Sequence, residues 1–306
     1  MDGSVIGAAD IHRLIGRARA SSPDPSSYRA RRLLRRYGEI AVERATSDAI
    51  RVTSTPPIRS SPPAIVLFRM LRGRLRATHD GYTFASGPGE SVLFLTSGHY
   101  DFLMEEGELT QVRVALRLFA PAEIADIVAA IDIPLPPSTL TSTVWSAIDS
   151  LIDAPPSENP DTDTDQAIET LVAGLVAQVA TQMVQARGRS ANTSPLLGAA
   201  LRHLDQNLAD HHLSLDALAA AVGTSTRTLN REFRTIGTSP MAALRDARLT
   251  AVEQLLSSRA PLPPLDVIAK NHGYSDRTAL TRAFHRRFGR SPTEHRQLAL
   301  ARSVGE

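Results

Sequence analysis

The feature that most constrains this chain is a repeat near its C-terminal end. Leu215-Asp-Ala-Leu-Ala-Ala-Ala-Val-Gly223 matches Leu265-Asp-Val-Ile-Ala-Lys-Asn-His-Gly273 at an offset of 50. After a turn one residue longer, Leu229, Arg231 and Phe233 match Leu280, Arg282 and Phe284 at an offset of 51. Each copy reads as a short amphipathic helix, a glycine exit, a tight turn and a second helix. Glycine just past a helix end supplies the left-handed residue that a sharp exit needs. Ser225 and Asp276 then stand where N-caps belong. A short helix, a glycine-containing turn and a second helix are the signature of a helix-turn-helix motif. Two copies with matching caps and core positions make the reading specific.

Ser239-Pro240 predicts the start of a long helix between the copies, reaching about Ser258, with serine as cap and proline at the first helical position. Leu244, Leu249, Val252, Leu255 and Leu256 give that helix a buried stripe. Ser291-Pro292-Thr293-Glu294 predicts a capping box opening a terminal helix. On the second helix of each motif, the apolar residues at i and i+4 face inward. That leaves Arg227, Asn230, Arg231 and Arg234 outward in the first, and Arg277, Thr278, Thr281, Arg282 and His285 outward in the second. Arginine pairs bidentately with guanine and asparagine with adenine in the major groove. Arg231 and Arg282 have a second reading, in which each braces its own motif by pairing an acid.

The chain resembles the AraC/XylS family of transcription regulators. The residues that carry the likeness are Ser225, Arg227, Leu229, Arg231, Phe233, Gly237, Ser239-Pro240, Arg248-Leu249, Ile268-Ala269, Gly273-Tyr274-Ser275-Asp276, Arg282, Phe284, Phe288-Gly289, Ser291-Pro292 and Arg296. The likeness is strong over about 195–298 and weaker over 38–186, which is similar to the family's regulatory domain. Ala243, Val252, Leu280 and His295 depart from the family's usual aromatic or alanine, and they touch packing more than DNA reading. The resemblance implies that the reading heads sit at the outward positions named above. It also implies double-stranded DNA and RNA polymerase as partners, a small-molecule effector and a homodimer.

The region before the repeat has another texture. Between Gly38 and Phe119, short runs rich in Val, Ile, Leu, Phe and Tyr alternate with turns such as His79-Asp80-Gly81 and Gly87-Pro88-Gly89. Asp-Gly between strand residues is a strong hairpin cue, because the turn needs positive φ. Ala64–Phe68, Arg74–Thr78, Tyr82–Ala85, Ser91–Thr96, Tyr100–Glu105 and Gln111–Phe119 are the expected strands. Such spacing predicts a cupin-like antiparallel barrel or sandwich. Pro121–Ile131, Thr139–Ile152 and Gln166–Ala186 read as accessory helices. The third has one apolar stripe, suited either to dimerisation or to covering the barrel. Tyr82, Phe84, Tyr100 and Phe102 alternate on strands, and line an effector pocket or serve as plain core. Residues 1–37 read as an N-terminal arm or helix, with the cluster at Arg29, Arg31, Arg32, Arg35 and Arg36 on a solvated helix face or in a basic arm.

The expected fold is therefore α+β in two domains. Residues 38–186 form a regulatory domain, 187–195 a linker and 196–306 an all-α DNA-binding domain of two helix-turn-helix motifs joined by a long helix. Net charge is only +2, yet 196–306 holds 15 basic against ten acidic residues, while 118–186 holds ten acids and no Lys or Arg. That asymmetry suits a C-terminal part built for a polyanion, although a composition in which only Lys270 of 34 basic residues is lysine offers a blander cause. The chain has no cysteine, which excludes disulfides, thiolate metal sites and cysteine nucleophiles. No metal or other cofactor is expected. Asp161, Asp163 and Asp165 lack the glycine and glutamate that a calcium loop requires. His79 and His99 form no H-x-H pair, and neither a G-x-S-x-G elbow nor a phosphate-binding glycine loop occurs, so catalysis is not expected. Uninterrupted apolar runs fall short of 18 residues, and a cytoplasmic protein without membrane spans is expected. The leading functional reading is a sequence-specific transcription regulator, an activator that responds to a small-molecule effector. The alternative is a DNA-binding regulator without ligand sensing, its barrel serving only oligomerisation or partner contacts.

Overall fold

Strand-forming runs between glycine turns build two antiparallel sheets in the N-terminal half. The computed structural model describes residues 4–7, 19–24, 26–53, 63–79, 82–97, 99–132, 134–155, 162–187, 194–258 and 261–302. One sheet orders β1 (Ser4–Gly7), β3 (Arg29–Tyr37), β4 (Ile40–Ser47), β11 (Gly107–Ala115), β6 (Ala64–Arg72) and β9 (Ser91–Leu95). The other orders β2 (Arg19–Ser21), β5 (Ile50–Thr53), β10 (Tyr100–Met104), β7 (Leu75–His79) and β8 (Tyr82–Ser86). Their inner faces share one apolar core, with Val66, Phe68, Val92 and Phe94 from the first sheet and Ile50, Leu75 and Phe84 from the second. This is the sandwich form of the expected β architecture. Asp80 and Gly81 lie outside the described residues, but His79 pairs with Tyr82, the register of a two-residue hairpin.

Three helices and several side-chain bridges follow the strands. The helices are α1 (Pro121–Ala130), α2 (Thr139–Asp153) and α3 (Thr162–Arg187). Ser138 caps α2 in a capping box with Thr141. Both α2 and α3 pack on the first sheet, α2 over β3 and β4 and α3 over β3 and β11, and Asp149 and Trp145 of α2 reach Arg69 on β6. Trp145 of α2 donates to Ser91 Oγ at 2.8 Å, and the Arg69 guanidinium lies 4.7 Å from the Trp145 ring centre. His79 Nδ1 lies 2.6 Å from Asp132 Oδ2, both side chains buried, tying the α1–α2 connection to β7.

Two readings of the sequence are corrected. Residues 29–37 are a strand, not an arm or helix, because they pair along their backbone with β1 and β4, and Arg32 finds a partner across the sheet that no local pattern reveals. Arg32 grips Glu43 of β4 with Nε–Oε1 at 2.7 Å and Nη2–Oε2 at 2.9 Å. Strands β4 and β5 were also absent from the expected set, since polar Glu43, Arg44 and Arg51 interrupt them. Thr164–Gln185 of α3 is long and apolar enough, by length and composition alone, to cross a membrane, yet it packs as a core helix. Interspersed Thr and Gln hide this from a search for unbroken apolar runs. Its Val172, Val176, Val179, Ala180 and Met183 are buried, with α2, β3 and β11 as packing partners. Asp161 lies outside the described residues, while Asp165 accepts a bond from the Gly38 N–H at 3.1 Å.

Contacts gather the chain into two units, one of residues 1–118, 126–193 and 235–237, the other of 119–125, 194–234 and 238–306. Most of the second unit is helical: α4 (Pro195–Gln206), α5 (Leu215–Ala221), α6 (Thr226–Thr235), α7 (Pro240–Ser257), α8 (Leu265–Asn271), α9 (Arg277–Phe288) and α10 (Pro292–Arg302). Of the expected linker, residues 188–193 lie outside the described residues; α4 begins at Pro195 behind the Ser194 cap.

Candidate nucleic-acid interface

Each repeat closes with the same backbone geometry. Gly223 has φ 67° and Gly273 φ 73°. Thr224 N–H donates to Ala219 and Gly223 N–H to Ala220, while Tyr274 N–H donates to Ala269 and Gly273 N–H to Lys270. This six-to-one plus five-to-two pattern is a Schellman exit, and the left-handed residue it needs explains the glycines. The second helix of each motif then starts on the expected cap. Ser225 Oγ accepts from Thr228 N–H at 3.1 Å, and Asp276 Oδ1 accepts from Ala279 N–H at 2.7 Å. That amide bond holds the Asp276 carboxyl below its ordinary range, with Ser275 adding to the effect.

A second shared device braces the motifs. Arg248 of α7 donates from Nε to the Leu208 carbonyl at 2.8 Å and from Nη2 to the Asp210 carbonyl at 2.6 Å. Arg296 of α10 donates from Nη1 to the carbonyls of Leu256 and Ser258. Burial holds Arg248 below its ordinary pKa and pushes the neighbouring Tyr274 phenol up to about 12. In both motifs, therefore, one arginine donates to carbonyls at or just past the end of the preceding long helix.

The reading helices bury one face and expose the other. Leu229 and Phe233 of α6, and Leu280 and Phe284 of α9, are fully buried. Arg227, Arg231 and Arg234 are exposed on α6; Asn230 is half-buried, and its Nδ2 donates to the Thr226 carbonyl at 2.9 Å. On α9, Arg277, Thr278, Arg282 and His285 are exposed and Thr281 is half-buried. Arg231 lies 3.6 Å from Glu232, with its own side chain 72% exposed, so that pairing is weak. Arg282 acts on Asp276 only as a minor electrostatic influence. Ala243, Val252, Leu280 and His295, the four departures from the family pattern, are all buried. His295 packs edge-on to Phe284 and sits 3.3 Å from Glu253.

Helix α7 joins the two motifs. Ser239 caps it through the Ala242 N–H, Pro240 takes its first position, and its 18 residues span about 27 Å at 1.5 Å each. Leu244, Leu249, Val252 and Leu256 are buried along it, as its stripe requires, and Leu255 is half-buried. Its C-terminal half shares a core with α8 and α9. The arginine braces are the functional-domain residues that pattern reading does not reveal: Arg248 and Arg296 stand in the quoted motif, but only their carbonyl partners show what they do.

The residues weighed as an effector pocket divide. Tyr100 and Phe102 are half-buried and stacked with centroids 4.7 Å apart, and Phe94 meets both edge-on. Phe84 is buried in the sandwich core and Tyr82 is exposed. Among the described residues no three His, Asp or Glu side chains converge on a common point.

Comparison with known proteins agrees with this geometry. A family model described as a helix-turn-helix domain matches residues 218–298. The chain is 34% identical over 104 residues to the RCS-specific HTH-type transcriptional activator RclR of Escherichia coli (strain K12), covering 34% of this chain and 36% of that protein. It is 36% identical over 96 residues to the transcriptional activator NphR of Rhodococcus sp, covering 31% of this chain and 28% of that one. The matches thus span about a third of these relatives' own length. The fold as a whole is similar to that of the AraC-like transcriptional activator CuxR, with a TM-score of 0.55, 15% identity, and coverage of 82% of this chain and 95% of that one. Residues 218–298 are thus a helix-turn-helix domain, similar in sequence to the corresponding part of curated transcriptional activators.

Proposed function

We propose that this chain is a sequence-specific transcription activator whose two reading helices, α6 and α9, enter successive major-groove segments on one face of double-stranded DNA. The observation that carries the reading is the paired set of exposed basic and polar faces, each held by the same cap, exit and arginine brace. Arg227 and Arg277 stand in the first turn of each helix, where reading heads reach base edges. Asn230, Arg231, Arg234, Thr278, Thr281, Arg282 and His285 supply the remaining base and phosphate contacts. One turn of DNA is about 34 Å, somewhat longer than α7, so the duplex bends or one segment is engaged less fully.

The domain over 38–186 responds to a small-molecule effector and assembles the homodimer, and RNA polymerase is the partner that activation requires. The names of RclR and NphR support the activator reading. DNA and polymerase as partners imply a cytoplasmic protein. A second reading, in which the sandwich serves assembly alone, draws on Leu171, a large apolar side chain 55% exposed on α3.

Binding of the full chain to duplex DNA over a salt series tests the reading. The logarithm of affinity should fall against the logarithm of salt with a slope of about −0.9 for each phosphate neutralised. A flat dependence would overturn it.

A further inference from the structure

We propose that the second motif holds the chain on duplex DNA of any sequence, through a phosphate clamp of Arg286 and Arg290 at the C-terminal end of α9, and that the first motif engages fully only where its own base pairs are present. This rests on the DNA-binding reading above and divides the labour within it. The argument begins with charge over matching stretches. Residues 208–239 hold three basic and three acidic side chains, whereas 258–290 hold seven basic and two acidic. A motif without net charge gains little from the field of a polyanion, and one with a large positive excess gains much.

The excess lies beyond the reading positions of the second motif. His285, Arg286 and Arg287 form the last turn of α9, and Arg290 follows the left-handed exit at Gly289, φ 71°. At the matching positions, 51 residues earlier, the first motif has Arg234, Thr235, Ile236 and Ser239. Arg286 is exposed one turn past exposed Arg282, so the two share a face of the helix. Arg290 is half-buried. The Arg287 guanidinium lies over the Phe288 ring, 5.1 Å from its centre, and stands outside the clamp. On α8, exposed Lys270 stands where α5 has Ala220.

Acids sharpen the contrast. Glu232 lies on the first reading helix, 3.6 Å from Arg231, where the second has Ala283. Glu294, which feels the His285 charge, is engaged as a cap, its carboxylate accepting from the Ser291 N–H at 2.7 Å. In helix-turn-helix docking the first turn of the reading helix meets base edges, while its far end runs out over the backbone. Phosphate contacts fix a protein on the duplex without carrying sequence information. A guanidinium fork matches a phosphate bidentately. Arg286 and Arg290 therefore supply grip, and the near-neutral first motif supplies preference.

The test is the affinity of the full chain, over a salt series, for a duplex selected from a random pool and for a scrambled duplex of the same composition. Arg286→Gln should weaken both about tenfold at about 0.1 M salt and lower both slopes by about 0.9. Arg286→Lys, which keeps the charge, should restore the slopes. Arg286→Gln with Arg290→Gln should roughly double the loss of slope. Arg231→Gln with Arg234→Gln should lower the scrambled-duplex slope less than half as much, and should weaken the selected duplex more than the scrambled one. Arg76→Gln, exposed on β7, controls for net charge and should change neither. Unchanged slopes for Arg286→Gln, a loss confined to the selected duplex, or an equal scrambled-duplex loss from the first-motif pair would overturn the proposal. A flat slope for the unmodified chain defeats the DNA-binding reading itself; a steep one that Arg286→Gln leaves unchanged defeats the clamp alone.

Discussion

The two helix-turn-helix motifs share a frame and differ in what fills it. Glycine exits, side-chain caps and arginine braces recur at matching positions, so the fold of each motif is fixed by the same few bonds. The surroundings are not equivalent. A Cβ on Gly223 would meet nothing within 4 Å, whereas one on Gly273 would lie 2.5 Å from the Arg248 guanidinium and 2.5 Å from the Leu208 carbonyl oxygen. Arg248 thus reaches across the turn of the second motif while bonded to the loop after α4. In the second motif the buried Glu253 and His295 form a hydrogen-bonded cluster with the exposed Ser257. Ala247 stands at the position of His295 in the first, by the same offset of 48 that relates Arg248 to Arg296. A repeated frame can therefore carry two different reading surfaces and two different stabilities.

The largest expected asymmetry is at the glycines. Gly223→Ala should cost about 1–2 kcal/mol, the penalty of a left-handed residue with a Cβ. Gly273→Ala should cost that and about 1–3 kcal/mol more, because backbone at Leu208 must move to admit the methyl group. Urea melts of the full chain would compare them, and equal losses would remove the crowding argument.

Next come the braces. Arg248→Ala and Arg296→Ala should each destabilise by about 2–3 kcal/mol, since each leaves two carbonyls without their charged donor. Arg248→Ala should be the worse, as it also empties the space beside Gly273. Melts in which Arg296→Ala costs nothing would show that the second brace is not a counterpart of the first.

The smallest effect separates the caps by pH. Asp276 has a carboxyl pKa lowered from 3.8 by the Ala279 N–H, while Ser225 does not titrate. A depressed folded-state pKa contributes stability that is present above the ordinary value and lost as pH falls through the lowered one. The protection of the Thr278 and Ala279 amides, taken relative to their intrinsic exchange rates, should therefore fall on acidification below about pH 4, with protection at the start of α6 unchanged. Asp276→Asn, which keeps a capping oxygen, should remove the difference.

Much of the C-terminal domain is legible in sequence because its determinants are local. Gly223, Ser225, Asp276 and the Ser291–Glu294 pair act within four residues of their own helix ends, and each lies where its motif predicts. The N-terminal strands Arg29–Tyr37 and Ile40–Ser47 were less legible because Arg32 and Glu43 are satisfied across the sheet and Arg44 by α2. Arg44 reaches Asp149 and Asp153, more than a hundred residues away. The brace at Arg248 was half-legible: the residue stands in a motif, but its carbonyl partners 38 and 40 residues earlier emerge only from the fold. Alternation alone did not separate Phe84 in the core from Tyr100 and Phe102 at its open edge.

The central claim is that two equivalent frames present two distinct reading helices, and selection of binding sites from a random DNA pool tests it most directly. The full chain should select two short conserved blocks about one helical turn apart. Arg227→Ala should relax one or two base pairs in one block and Arg277→Ala one or two in the other, each costing about 1–3 kcal/mol on the preferred site. A single block, or variants that weaken all sequences alike with both blocks intact, would contradict the account.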